Sequence, residues 1–273
     1  MALRRDYVVK RLAQIASEHK VAVLYACESG SRAWGFASKD SDYDVRFLYL
    51  RPRAWYIDVL KTKRDVLDKK DGLPCDSTWD ISGWDLKKAL GLLQNSSPQL
   101  MEWLNSPIVY YECPGFIDEM REVVRDCFSL RASLYHYRSM AMSNYSTYLL
   151  RSEIEYKKYL YVLRPLFACS WALRFDESPP LNFARLMASM TLPDAVRRAV
   201  VDLWKAKRAG SERMIGKEIP VLNDYIEKAL VTLSGELEVV AADETPVDEE
   251  RRLARLNELL HKSCLRLVGW DAV

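Results

Sequence analysis

Asp42 and Asp44 are the residues whose type and spacing most directly indicate chemistry in this sequence. They stand one residue apart at the start of an apolar run, residues 44–50, that has the composition of a β-strand. Because side chains alternate along a strand, both carboxylates would point to the same face if pairing begins there. Two carboxylates so close repel each other, and a divalent cation such as magnesium is the natural partner that would hold them together.

A turn of small residues, Ser29-Gly30-Ser31, precedes this pair by ten intervening residues. It follows residues 21–27, an apolar run that predicts a buried strand, and it precedes a short helical pattern. Glycine lets the backbone approach a ligand, and free amides at a helix start favour phosphate. Ser31 can add its hydroxyl to a phosphate, act as a helix N-cap, or do both. This order of elements, a strand, a Gly-Ser turn, a short helix and a strand with Asp-x-Asp, indicates a site that binds a nucleoside triphosphate together with its magnesium ion.

The elements that must position these residues divide the chain into two halves. Residues 4–18 carry apolar side chains at helical spacing, a third strand is predicted near residues 75–81, and a helix follows Ser82. Residues 113–115 have the composition of a linker, and the pattern beyond them is helical. We therefore predict an α+β fold, with a mixed-sheet domain over residues 1–114 and an all-helical domain over residues 115–273.

Composition narrows the classes of partner and site. The 273 residues are 49% apolar and carry a net charge of +2, so any nucleic-acid contact must come from local patches. Six cysteines without a Cys-x-x-Cys pair and only three histidines disfavour zinc and multi-histidine sites, and leave oxygen ligands for Mg²⁺ or Mn²⁺. No window reaches about 18 uncharged apolar residues, so we expect a soluble, cytoplasmic protein without a membrane span.

Gly30-Ser31 followed by Asp42-x-Asp44 resembles the signature of the DNA polymerase beta superfamily of nucleotidyltransferases. The sequence most closely resembles the branch of this superfamily that is named the RNA repair pathway DNA polymerase beta family. The segments that carry this resemblance are GSRAWGF…SDYDVR and, later in the chain, DISGWDLKKAL and EWLNSPIVY. The specific matches cover residues 24–112, and a weaker match extends into the helical half. The resemblance implies a mixed-sheet, DNA polymerase beta-like core followed by a helical domain that closes the nucleotide cleft.

The resemblance also implies a third carboxylate on a neighbouring strand, shared by two metal ions. Asp80 is our choice for it, with Asp76 and Asp85 as alternatives because strand register is uncertain from sequence. The predicted catalytic and metal-binding residues are therefore Asp42, Asp44 and Asp80, with Mg²⁺ or Mn²⁺ as the cofactor.

The predicted nucleotide-binding residues are Gly30, Ser31, Arg32, Arg46 and Lys157. Each arginine could recognise phosphate through its planar fork or pair with an aspartate in the metal-free protein. In related enzymes the helical domain supplies a lysine to the triphosphate, and Lys157 is the candidate, with Lys158 as its rival. The alternative explanation of both residues is an ordinary amphipathic helix with exposed lysines.

The function that the resemblance implies is transfer of a nucleoside monophosphate from an NTP or dNTP, such as ATP, to an acceptor hydroxyl, with release of pyrophosphate. The family name implies RNA repair, with an RNA end as the acceptor. The near-neutral charge keeps one alternative open, nucleotidylation of a protein or small molecule, as in toxin-antitoxin-type relatives. A second alternative is a non-catalytic nucleotide-binding module that retains the pocket without turnover.

Overall fold

The computed structural model describes residues 2–39, 41–58, 65–68, 79–209, 214–243 and 249–266. The chain forms two compact units. The first contains Met1–Gly30, Asp42–Cys127 and Val247–Val273, and the second contains Ser31–Ser41 and Phe128–Pro246. Within the described ranges, no helix combines the length and the apolar character that crossing a bilayer requires.

The first unit is built on a mixed sheet. Its strands are β1 (Ala22–Glu28), β2 (Tyr43–Leu50), β3 (Val66–Leu67), β4 (Trp79–Asp85) and β5 (Val109–Glu112). They lie in the order β3-β4-β2-β1-β5, with β2 and β4 parallel and the other neighbours antiparallel. This sheet, together with the helices around it and the helical second unit, confirms the predicted α+β class.

Helices are interspersed with the strands along the first half of the chain, and helices are present in both units. Those of the first unit are α1 (Ala2–His19), α3 (Arg53–Tyr56), α4 (Leu86–Gln94), α5 (Pro98–Leu104), α6 (Phe116–Cys127) and α12 (Glu249–Arg266), while α2 (Gly30–Trp34) crosses the boundary between the units. The predicted apolar stripe of α1, formed by Val8, Leu12 and Ile15, is buried in one cluster with side chains of β2 such as Phe47.

One predicted element of the first unit needs correction, and one strand was missed. The third strand was expected near residues 75–81, but β4 continues to Asp85, so the helix after it begins only at Leu86. The short strand β3 precedes β4 in the chain and pairs antiparallel with it. The strand β5 was not predicted, because it is only four residues long and its pairing partner, β1, is more than eighty residues away in the sequence.

The second unit is mostly helical. Its helices are α7 (Leu130–Asn144), a π-helix (Tyr145–Leu149), α8 (Lys157–Phe175), α9 (Phe183–Ala188), α10 (Asp194–Arg208) and α11 (Pro220–Asp243). They enclose a core around α8, where Leu163, Phe167 and Cys169 are fully buried. The expectation of an all-helical second half is corrected by a two-stranded ladder, β6 (Ile154–Glu155) with β7 (Ile215–Gly216).

The bounds of the two compact units differ from the predicted division near residue 114. The assignment of a catalytic domain and a cleft-closing helical domain on either side of that division stays a prediction. The first unit extends through α6 to Cys127 and includes α12, which packs on α4 and α6. Arg255 of α12 forms an ion pair with Asp126 at 2.9 Å, and Arg266 pairs with Glu119.

Candidate active site

Asp44 and Asp80 lie opposite each other on adjacent parallel strands, β2 and β4. Arg46, two residues further along β2, points to the same face, and its Nη2 lies 3.4 Å from Asp44 Oδ1 and 2.9 Å from Asp80 Oδ2. Its Nη1 donates to the backbone carbonyls of Val45 and Asp80, each at 3.0 Å. The pairing register of the sheet therefore brings two of the three predicted carboxylates together around one guanidinium.

Asp42 lies outside this arrangement. The strand β2 begins at Tyr43, so Asp42 precedes the ladder, where the alternation of strand side chains no longer dictates direction. Its side chain is exposed. Over the part of the chain that the structure describes, no three acidic, histidine or cysteine side chains are grouped closely enough to hold a metal ion. The role of Asp42 as a metal ligand stays a prediction.

The paired carboxylates nevertheless suit a divalent cation. Both offer hard oxygen donors, and both are accessible, since 28% of the Asp44 side chain and 48% of the Asp80 side chain are exposed. The Arg46 Nη2 between them shows that this position accommodates positive charge. Arg46 therefore pairs with the aspartates, as one of its two sequence-based interpretations expected, and its nucleotide-binding role stays a prediction.

Gly30 is packed directly against Asp44. A Cβ atom added at Gly30 would lie 1.9 Å from Asp44 Oδ2, and the residue has a φ of +58°. Both observations exclude a side chain here, because that backbone conformation also favours glycine. The amide of Ser29 donates to the carbonyl of Asp44 at 2.7 Å. The Gly-Ser turn and the Asp-x-Asp strand are thus in contact at Gly30 and Asp44.

Glu28 is a residue of this site that sequence reasoning missed. The strand β1 was expected to end at residue 27, but it includes Glu28, whose side chain is fully buried. Glu28 Oε1 accepts a hydrogen bond from the amide of Asp44 at 2.9 Å. The available signal was a carboxylate directly after six buried or half-buried residues of an apolar run, where a charged side chain needs a polar partner.

The two alternatives to Asp80 have different outcomes. Asp76 lies outside the described residues. Asp85 is buried at the opposite end of β4, where its Oδ1 caps α4 by accepting from the amide of Lys87 and its Oδ2 accepts from the hydroxyl of Tyr56. Burial raises the pKa of the Asp85 carboxyl above its ordinary value, although both hydrogen bonds oppose the shift. These contacts explain Asp85 as a structural residue.

Ser31 and Arg32 belong to the second unit. Ser31 is the second residue of α2, and its carbonyl accepts from the amide of Phe36 at 3.1 Å. Arg32 Nη2 donates to the carbonyl of Ser41, so this arginine spans the loop that leads to Asp42. The nucleotide-binding roles predicted for both residues stay predictions.

The loop before Asp42 is held by a lysine that sequence reasoning also missed. Lys207 of α10 is 4% exposed, and its Nζ lies 3.4 Å from the hydroxyls of Ser38 and Ser41. These two hydroxyls are 3.0 Å from each other. The signal in the sequence was weak, because Lys207 stands in a run of basic residues that a solvated helix end explains equally well.

Lys157 and Lys158 begin α8 in different surroundings. Lys157 Nζ lies 3.3 Å from the carboxylate of Glu155. Lys158 Nζ lies 3.9 Å from the ring centre of Tyr148 and 5.2 Å from that of Tyr161, in cation–π geometry. The predicted contact of Lys157 with a triphosphate stays a prediction, as does the rival assignment to Lys158.

Comparison with known proteins gives two matches that cover nearly the whole chain. The sequence model of the RNA repair pathway DNA polymerase beta family matches residues 5–262. An uncharacterized protein of Bacillus subtilis (strain 168), YcgL, is 38% identical over 256 residues, which are 94% of this chain and 95% of that protein. The resemblance inferred from the Gly-Ser and Asp-x-Asp motifs and from the longer segments around them is thereby confirmed, including its extension from residues 24–112 into the helical half.

Proposed function

Because the chain belongs to the RNA repair pathway DNA polymerase beta family, we propose that it is a metal-dependent nucleotidyltransferase. It transfers a nucleoside monophosphate from an NTP or dNTP to an acceptor hydroxyl and releases pyrophosphate. The family description names an RNA repair pathway, and we take the end of an RNA as the acceptor.

The observation that carries this proposal is the pairing of Asp44 with Asp80 across two parallel strands, with Gly30 packed against Asp44. Arg46 offsets the repulsion between these two like charges, yet both carboxylates remain partly exposed, which leaves their oxygen atoms accessible to a cation from solvent. A role in holding a cation explains both their proximity and their accessibility.

The chain's own residues divide the work in this proposal. Asp44 and Asp80 hold magnesium, with Asp42 as the third ligand, and Ser31 and the amides that follow Gly30 bind the triphosphate. Bound magnesium supplies charge neutralisation of the triphosphate and lowers the pKa of the acceptor hydroxyl. Arg46, which contacts both carboxylates, keeps them in place before the metal arrives and adds positive charge beside the substrate.

The test is incubation of the purified protein with each labelled NTP or dNTP, Mg²⁺ or Mn²⁺, and an RNA, DNA or protein acceptor. We expect labelled RNA and stoichiometric pyrophosphate, both abolished by chelation of the metal. Label on a protein or small molecule instead would support the nucleotidylating alternative. Metal-dependent nucleotide binding without any transfer would support the non-catalytic binding module.

A further inference from the structure

Glu28 has an unusual position for a carboxylate. Its side chain is fully buried at the end of β1, and its two oxygens have different partners. Oε1 accepts from the amide of Asp44 at 2.9 Å, and Oε2 accepts from the hydroxyl of Tyr110 on β5. Burying a carboxylate is unfavourable unless its hydrogen bonds are satisfied, so these two bonds explain how the fold tolerates Glu28.

The bond to Asp44 lies where the backbone ladder stops. Pairing of β1 with β2 ends with Glu28 opposite Val45, one residue before Asp44 is reached. Beyond this point, the side chain of Glu28 takes the place of a backbone acceptor, because its Oε1 accepts a hydrogen bond from the Asp44 amide. The Ser29 amide donates to the Asp44 carbonyl. Both backbone polar groups of Asp44 are therefore held by two successive residues of the neighbouring segment.

Glu28 is itself held from the other side. Its amide donates to the carbonyl of Ile108 at 2.9 Å, and its carbonyl accepts from the Ser106 hydroxyl at 2.6 Å. With the Tyr110 hydroxyl, these contacts tie Glu28 to β5 and to the residues that lead into it. A side chain fixed by its surroundings in this way can transmit a fixed position to the residue it contacts.

We propose that Glu28 is a positioning residue for Asp44, which fixes the backbone of the metal-binding aspartate through the length of its side chain rather than through its charge. This inference rests on the proposed function, because it assumes that Asp44 binds the metal. Outer partners that orient metal ligands typically change metal affinity or activity by about 10- to 100-fold when they are lost.

Two conservative variants separate length from charge. Glu28→Gln keeps the length and an oxygen that accepts from the Asp44 amide, while its NH₂ group can donate to the Tyr110 hydroxyl oxygen. Glu28→Asp keeps the charge but is shorter by one methylene group, so it cannot reach both partners. Tyr25→Phe is the matched control, because Tyr25 is a fully buried residue of the same strand whose hydroxyl donates to the Trp103 carbonyl, away from Asp44.

The measurement is Mn²⁺ binding to the nucleotide-free protein by calorimetry, together with melting temperature and kcat and KM. We expect Glu28→Gln and Tyr25→Phe to bind Mn²⁺ within about twofold of wild type, and Glu28→Asp to bind it at least about tenfold more weakly. The loss in Glu28→Asp should appear in kcat and in the Mn²⁺ requirement more than in the KM for nucleotide.

Each other outcome overturns the inference. Normal Mn²⁺ affinity in a folded Glu28→Asp variant would show that the length of the side chain is irrelevant. Weakened Mn²⁺ affinity in Glu28→Gln would show that the charge of Glu28 matters. This second result would overturn the inference even if Glu28→Asp does not fold. If wild type binds no Mn²⁺ and transfers no nucleotide, the proposed function itself fails, which is a result distinct from either of these.

Discussion

Arg46 explains how two aspartates can stand side by side in this sheet. Its guanidinium contacts both carboxylates and two backbone carbonyls, so the repulsion between Asp44 and Asp80 is compensated within the strand pair. The side chains of both aspartates are partly exposed, so water also screens them. The ion pairs of Asp44 and Asp80 with Arg46 therefore contribute little to the free energy of unfolding, and substitutions of the two aspartates can test their functional role separately.

Replacing Asp44 or Asp80 by Asn should abolish transfer and leave the fold intact. Each exchange preserves volume but removes one negative charge from the proposed cation site. The change in unfolding free energy should stay within about 1 kcal/mol, because the ion pairs are partly exposed. Melting temperature and turnover, measured on one preparation, test this. Asp44→Asn that transfers nucleotide at a wild-type rate would contradict the assignment.

Gly30→Ala should damage both the fold and the site. The added Cβ would collide with Asp44 Oδ2, and the positive φ at Gly30 is unfavourable for alanine, so we expect a loss of about 1–3 kcal/mol in stability together with loss of Mn²⁺ binding. Gly91→Ala is the matched control. Gly91 lies within α4 with open space around it, so alanine there should stabilise the protein by about 0.5–1 kcal/mol and leave Mn²⁺ affinity unchanged.

At the scale of elements, the junction between β4 and α4 decides which aspartate is available for chemistry. The strand begins with Asp80 beside Asp44 and ends with Asp85, which caps α4 and accepts from Tyr56. One strand therefore carries a partly exposed aspartate at one end and a buried structural aspartate at the other.

Asp85→Asn should retain transfer and stability, whereas Asp85→Ala should lose about 1–2 kcal/mol of stability because the amide of Lys87 loses its cap. Asparagine remains an N-cap and can still bond to the hydroxyl of Tyr56. Urea unfolding and turnover of the two variants check this. Loss of transfer in a stably folded Asp85→Asn variant would instead indicate that Asp85 serves as the third carboxylate.

The same residue predicts a pH dependence. Burial raises the pKa of Asp85 in the folded protein, so the folded state still binds its proton at pH values where the unfolded chain, with a pKa of about 3.9, has lost it. Its contribution to stability is thus full below about pH 4 and declines as the pH rises through the raised pKa. Urea midpoints across this range should decline less in Asp85→Asn than in wild type. Asp118→Asn, whose carboxylate is 81% exposed, should keep the wild-type slope.

For the whole molecule, α12 shows that the order of elements in the chain is not their order in space. This last described helix belongs to the first unit, where it packs on α4 and α6. Its buried side chains include Leu256 and Leu259, and its arginines bond to neighbours such as Asp126.

Leu259→Ala should destabilise the protein by about 2–5 kcal/mol, because it removes a side chain that is 2% exposed and leaves a cavity. Arg255→Ala, on the same helix, breaks a partly exposed ion pair and should cost no more than about 1 kcal/mol. Urea unfolding of both variants tests whether α12 is held on α4 and α6 by apolar packing rather than by its ion pairs. Equal losses in the two variants would contradict this expectation.

Much of this protein could be predicted from local sequence. The apolar stripe of α1 and the strands on either side of the Gly-Ser turn follow from periodicity and turn residues, which act between near neighbours. The spacing of Gly30-Ser31 and Asp42-x-Asp44 indicated the superfamily and the longer segments over residues 24–112 indicated the family, which the family match over residues 5–262 confirms.

Only the tertiary structure placed Asp80 opposite Asp44, buried Glu28 against the Asp44 amide, and added α12 to the first unit. Each depends on pairing or packing between residues far apart in the chain, whose register no local propensity specifies. Asp42 illustrates the same limit, because the alternation rule is valid only where the ladder has begun, and the ladder begins at Tyr43. Residue types therefore determined which chemistry is available, whereas the register of parallel strands determined which carboxylates meet.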